Sequence, residues 1–285
     1  MDCSRRAFVA ATGLLAIPGA RGASGSLAGL RIGVTDWNIR QTGKLEAVGM
    51  AKDLGFEGVQ ISLGRRVEDN KLPLDNDELI GQYLAESRKQ SIRLDGTCLD
   101  VLHTNYLKSD KLGQKWVADG IRITRKLDTK VMLLPFFGKG ALQTRPEMDY
   151  VADVLKELAP AAEKAGVILG LEDTISAEDN VRIMDRVGSS AVLVYYDIGN
   201  STVAGFDVVR EIGWLGKSRI CQFHFKDNPH YLGEGTIDFP HVVQAIAGLR
   251  WDGFANLETD SPAKSVEADM RRNLGYVRRV LQQNG

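Results

Sequence analysis

Glu172, Asp197, His224 and Glu258 each fall at or near the end of a short apolar run: "VILGLED" (167–173), "AVLVYYD" (191–197), "RICQFHFKD" (219–227) and "GFANLE" (253–258). Three carboxylates and one imidazole, with no thiolate, form an oxygen-rich donor set. It suits Mn²⁺ first, with Mg²⁺, Co²⁺ or Zn²⁺ as alternatives, and disfavours a closed structural zinc site. Taken singly, each residue has a plainer reading. A carboxylate at a strand end can cap the next helix or pair with a Lys or Arg, and a lone histidine can be a satisfied core residue. Only convergence would turn the four into a site. If these runs are adjacent strands whose ends share one mouth, three anions meet there and repel one another unless a cation sits between them.

The rest of the chain supplies the elements that such convergence requires. Eight apolar runs read as strands, at 30–37, 57–62, 92–99, 130–137, 167–173, 191–197, 219–227 and 253–258. Amphipathic segments at 44–54, 77–90, 111–127, 147–165, 178–187, 207–216, 239–249 and 264–282 read as the helices between them, with Asp207 as a start signal and Gly166 as a stop. Strict alternation argues for a parallel sheet with right-handed crossovers, and at about this length a closed (β/α)₈ TIM barrel is the most economical arrangement. A doubly wound open sheet is the runner-up, but the first strand-to-helix turn, "VTDWNIRQTGK", lacks a Gly-rich phosphate loop.

In such a barrel the active site lies at the C-terminal ends of the strands. Lys226 is then expected at the mouth, holding a substrate oxygen, with Asp227 orienting a neighbour. Trp37, Asn38, Gln60, His103, Phe136 and Phe137 are further mouth candidates, because rim aromatics can stack on the apolar face of a small ligand while Gln and His can bond its polar groups. Asp238 falls near a helix start, and Glu234 and His241 read as structural.

The ordered motifs "GLEDT", "YYDIGN", "FHFKD", "LGEGTID" and "NLET" resemble the xylose isomerase-like TIM barrel superfamily over about residues 30–282. That superfamily holds sugar-phosphate isomerases and epimerases, ketose 3-epimerases and inosose dehydratases. The resemblance implies metal ligation by Glu172, Asp197, His224 and Glu258, with Glu172 and Glu258 as the acid/base pair of an enediolate mechanism on a ketose or keto-sugar. Two positions depart from the epimerase pattern. Asn200 stands where a histidine commonly contacts the sugar, and His230 stands where an arginine does; both remain substrate-binding candidates.

The same site chemistry admits a lyase or dehydratase acting on a 3-keto-glycoside or inosose, and a non-catalytic carbohydrate-binding barrel is a third reading. Two glutamates able to carry protons argue against a pure binder. An endonuclease of the same superfamily is disfavoured, because 4 histidines are too few for a trinuclear zinc site and no basic groove is evident.

Composition agrees with a small-molecule carbohydrate partner. In 285 residues, 36 Lys and Arg nearly balance 37 Asp and Glu, so no broad field favours nucleic acid or a stable association with an anionic membrane. A homo-oligomer stays open. The N-terminus "SRRAFVAATGLLAIPGARGA" places paired arginines before a short apolar run and small residues, the order of a Tat-like export signal. The expected organisation is a signal at 1–23, a short leader at 24–29 and one barrel domain at 30–285, with a periplasmic or extracytoplasmic mature protein. Cys98 and Cys221 fall in strand-like runs and read as core thiols, with a bridge between them left open.

Overall fold

The computed structural model describes residues 29–284, so the expected export signal and the leader up to residue 28 lie outside the described residues. Eight strands form: β1 (Arg31–Thr35), β2 (Gly58–Ser62), β3 (Arg93–Cys98), β4 (Val131–Pro135), β5 (Ile168–Glu172), β6 (Val192–Asp197), β7 (Ile220–Phe225) and β8 (Phe254–Leu257). They pair in parallel and in chain order, and β1 closes against β8 to complete a barrel. The helices are α1 (Glu46–Leu54), α2 (Asp77–Gln90), α3 (Lys111–Lys126), α4 (Arg145–Ala165), α5 (Ala177–Val187), α6 (Ile198–Val203), α7 (Val208–Leu215), α8 (Phe239–Gly248) and α9 (Val266–Asn284). The chain is therefore a single-domain (β/α)₈ TIM barrel, with α6 as a short extra helix on the end of β6. Among the described residues, no helix is long and apolar enough to cross a membrane.

Local chemistry sets the helix ends. Thr144 and Glu147 form a capping box on α4, a device worth about 1 kcal/mol. Gly166 ends that helix in the left-handed region at φ 67°, where a side chain would be strained. Asp207 caps α7 through the backbone N–H of Arg210 at 3.0 Å.

The two-residue period of β7 explains its odd sequence. Phe223 and Phe225 point to the helix layer, where their rings meet Trp251 and Phe239 at centroid distances of 5.0 and 5.8 Å. Full burial of each stabilises the fold by roughly 1.5–3 kcal/mol. Gln222, His224 and Lys226 lie on the opposite face and form a ladder up the barrel interior to its mouth.

At the lower rung, Gln222 Nε2 and Asn256 Nδ2 donate to Asp95 Oδ1 at 3.3 and 3.0 Å. Gly33 and Gly58, paired across β1 and β2, make room for this carboxyl: a Cβ on either would lie 2.2 or 2.3 Å from Asp95 Oδ2. Burial pushes the Asp95 pKa up to about 7. An acid raised in this way holds a proton in the folded state that the unfolded chain has already shed. Its contribution to stability is full below about pH 4 and lost as pH rises through about 7. Asp95→Asn is expected to flatten this decline, which is on the order of 1.4 kcal/mol per pH unit within the window. Urea denaturation at about pH 5 and pH 8 checks it, and an unchanged slope contradicts a neutral buried carboxyl.

Candidate metal centre and active site

The four residues predicted from the strand ends come together at the C-terminal mouth. Glu172, Asp197, His224 and Glu258 each present a ligand atom, and these atoms all lie within 4.8 Å of one another. The register brings this about: Asp197 on β6 pairs with His224 on β7, and Glu258 directly follows β8, its N–H bonded to Phe225 O at 3.1 Å. Nδ1 of His224 lies 2.8 Å from Glu172 Oε1, 3.5 Å from Glu258 Oε2 and 3.7 Å from Asp197 Oδ2. Asp197 does two jobs. Its Oδ1 accepts the N–H of Asn200 at 2.7 Å and caps α6, which leaves Oδ2 facing the cluster.

The electrostatics of this arrangement are strained without a cation. Burial raises the Glu172 pKa to about 8. Burial alone would lower the His224 imidazole, but Glu258, Glu172 and Asp197 outweigh it and lift the pKa to about 10. For Asp197, burial is outweighed by the Lys226 ammonium and by His224, which hold the carboxyl well below its ordinary range. Lys226 Nζ lies 2.7 Å from Asp197 Oδ2 and also pairs with Glu258 Oε2. Even so, Asp197 Oδ2 is buried and accepts no hydrogen bond of proper alignment. The cation-free cluster balances its charge with protons on Glu172 and His224; with both removed, three carboxylates against one ammonium leave two negative charges, which one divalent cation would neutralise. The donor set and its spacing fit such an ion.

Partners behind the ligands hold them in place. Gln60 Oε1 accepts from His224 Nε2 at 2.8 Å, from the Tyr195 hydroxyl at 3.1 Å and from Asn256 Nδ2 at 3.4 Å. With the Nε2 proton engaged there, Nδ1 is the nitrogen turned toward the carboxylates. Trp37 Nε1 donates to Glu258 Oε1 at 2.9 Å and fixes that carboxylate from the opposite side of its ammonium partner.

Above the cluster lies a cavity of about 540 Å³, a volume typical of small-molecule sites. Glu172, Glu258, Lys226, Trp37, Asn200 and His103 line it. Phe137 also lines it and stacks on His103 at 6.4 Å. Several other candidates lie elsewhere. Gln60 is fully buried beneath the cluster, where it orients His224 rather than meeting a ligand at the mouth. Phe136 is core, and Asn38 ties the end of β1 to Thr259. His230 is exposed and does not line the cavity. Asp227 accepts backbone N–H groups of the glycine-rich turn that follows β7, and Glu234 and His241 form exposed pairs with Arg272 and Asp238. Cys98 and Cys221 are both free thiols.

The lining also includes residues that went unread in the sequence, among them Ser62, Arg65 and Asp100. Ser62 is the last residue of β2, and Asp100 lies two residues beyond β3, so the strand-end rule that found the candidate ligands applies to them as well.

A closed barrel with a carboxylate–imidazole cluster at the C-terminal ends of β5 to β8 defines a class of proteins. The chain belongs to the xylose isomerase-like TIM barrel family, whose pattern matches it over residues 48–280. Among relatives in sequence, a probable L-ribulose-5-phosphate 3-epimerase of Mycoplasma pneumoniae is 28% identical over 223 residues, covering 70% of this chain and 71% of that protein. A 2-epi-5-epi-valiolone 7-phosphate 2-epimerase of an Actinoplanes species is 23% identical over 208 residues, covering 73% and 76%. In three dimensions the fold resembles a D-psicose 3-epimerase from Clostridium cellulolyticum solved with D-tagatose, with a TM-score of 0.73 at 17% identity, covering 88% of this chain and 99% of that one.

Proposed function

We propose that the protein is a divalent-metal-dependent sugar isomerase or epimerase acting on a ketose or keto-sugar through an enediolate. One observation carries this reading: two glutamates capable of proton transfer flank a metal-competent histidine and aspartate beneath a sugar-sized cavity. The related proteins named as epimerases support it.

A cation held by Glu172, Asp197, His224 and Glu258, with Mn²⁺ the best match, would polarise a carbonyl and its neighbouring hydroxyl and so acidify the carbon between them. The chain's own groups then move the proton. Glu258, steadied by Trp37, removes it from the carbon beside the carbonyl, and Glu172, on the neighbouring side of His224, returns it to the opposite face. Lys226 holds a substrate oxygen as negative charge develops. Deuterium exchange from D₂O into a ketose with an intact skeleton tests this reading, whereas loss of a β-oxygen would identify a lyase.

Gln60 acts in this scheme as a positioning residue. Gln60→Leu is expected to weaken Mn²⁺ binding about ten- to hundredfold, because the imidazole loses the partner that fixes its tautomer. Gln60→Glu, which accepts the same hydrogen bonds, is expected to restore binding. Calorimetric titration with Mn²⁺ alone checks both, and unchanged affinity in the leucine variant contradicts the role.

Export through the twin-arginine route is also proposed, from the pair Arg5 and Arg6 ahead of the apolar run. Periplasmic fractionation of a strain carrying the full chain tests it, and retention in the cytoplasm would oppose it.

A further inference from the structure

We infer that the substrate is an uncharged sugar or glycoside rather than a phosphate ester, and that Asp100 is a specificity residue taking hydroxyls on the β2–β3 side of the mouth. The inference rests on the enediolate reading of the same site. It departs from the two relatives described above, which are named for phosphate esters.

The loops beyond β7 and β8 are where a barrel of this type commonly holds phosphate, through free backbone N–H groups. Here the chain's own carboxylates take N–H groups of both loops. Asp227 Oδ2 accepts the N–H groups of Gly233 and Gly235 at 3.2 and 2.9 Å, and its Oδ1 accepts that of Thr236 at 3.2 Å. The fit is close enough that a Cβ on Gly235 would lie 2.2 Å from Asp227 Oδ1. Beyond β8, Asp269 Oδ2 accepts the N–H of Ala263 at 3.2 Å, while its Oδ1 accepts from the Tyr231 hydroxyl at 2.7 Å. These N–H groups are thus occupied by the chain's own carboxylates and are not open to an anion.

The cavity wall points the same way. Lys226 has its charge balanced by Asp197 and Glu258 even where it also donates to a substrate oxygen, and a divalent cation would bring the cluster to neutrality. Across the mouth, Asp100 is buried to 9% exposure, lines the cavity and accepts a hydrogen bond from the Ser62 hydroxyl. Burial raises its pKa, and the Ser62 hydroxyl and the Arg65 charge partly offset that rise. Among the described residues, Arg65 is the one Arg or Lys of the wall outside the carboxylate–imidazole cluster, and its charge acts on the Asp100 carboxyl, so a phosphate reaching Arg65 would also meet Asp100. When ionised, a carboxyl there accepts hydrogen bonds from sugar hydroxyls and repels a phosphate carrying about −1.5 to −2 charges.

The test uses the full chain loaded with Mn²⁺, in D₂O, with D-fructose, D-tagatose and a methyl 3-keto-glucoside, each beside its 6-phosphate. Mass spectrometry reads exchange, and calorimetry reads binding of the same compounds and of inorganic phosphate. The expected result is at least tenfold higher kcat/KM for an uncharged compound over its ester. Asp100→Asn is expected to lower the uncharged rate at least tenfold and to narrow the gap. Tenfold preference for an ester in exchange overturns the inference and leaves the enediolate reading standing. Binding without exchange from any compound removes the enediolate reading, and the calorimetric preference between sugar and ester then decides the substrate class by itself.

Discussion

Glu258→Gln is expected to lower deuterium exchange by about 10³-fold while leaving the fold intact, within the range for loss of a general acid or base. Glutamine has the same shape and keeps an oxygen to accept the Trp37 N–H. It cannot take a proton, however, and it no longer pairs with Lys226 as a charge. Because Glu258 is also a candidate ligand, metal content must be measured on the same sample. A variant that keeps its metal and loses turnover isolates the proton-transfer role. Near-normal exchange would sink the assignment of Glu258 as base.

The second large effect is on stability. Adding Mn²⁺ to the metal-free protein at about a thousandfold excess over Kd is worth about 4 kcal/mol. For a domain of this size, at about 2–4 °C per kcal/mol, the melting temperature rises by roughly 10 °C. His224→Ala is expected to abolish the rise. Protons compete for the same site, because the cation-free cluster lifts His224 to about 10 and Glu172 to about 8. Affinity for Mn²⁺ should therefore climb with pH between about 6 and 8. A melting temperature indifferent to Mn²⁺, or an affinity that falls over that range, contradicts a metal centre built from these four residues.

The strand-end residues were legible because a parallel barrel converts sequence order into spatial neighbourhood. Once eight apolar runs alternate with helices, the ends of β5 to β8 must meet, and Glu172, Asp197, His224 and Glu258 follow. Depth was harder to read. The two-residue period places Gln60 inside the barrel, but whether it reaches the mouth depends on strand tilt and stagger, which carry no local sequence signal. It lies one layer too low and serves His224 instead. His230, in the loop beyond β7, is exposed and does not line the cavity, a position that no local sequence signal gives. Asp100 lies in the turn Asp100–His103, two residues beyond β3, and its carboxyl lines the cavity beside the His103 that the sequence did single out, so it was within reach of the same rule. In Asp197, helix cap and candidate ligand are not alternatives, since separate oxygens do the two jobs.

The most direct test of the central claim is deuterium incorporation from D₂O into ketoses and 3-keto-sugars by metal-free and Mn²⁺-loaded protein, with metal content determined on each sample. Incorporation beside the carbonyl, with the skeleton intact and only in the loaded protein, is the predicted result. Equal exchange without metal, or a product that has lost a β-oxygen, would contradict a metal-dependent isomerase or epimerase.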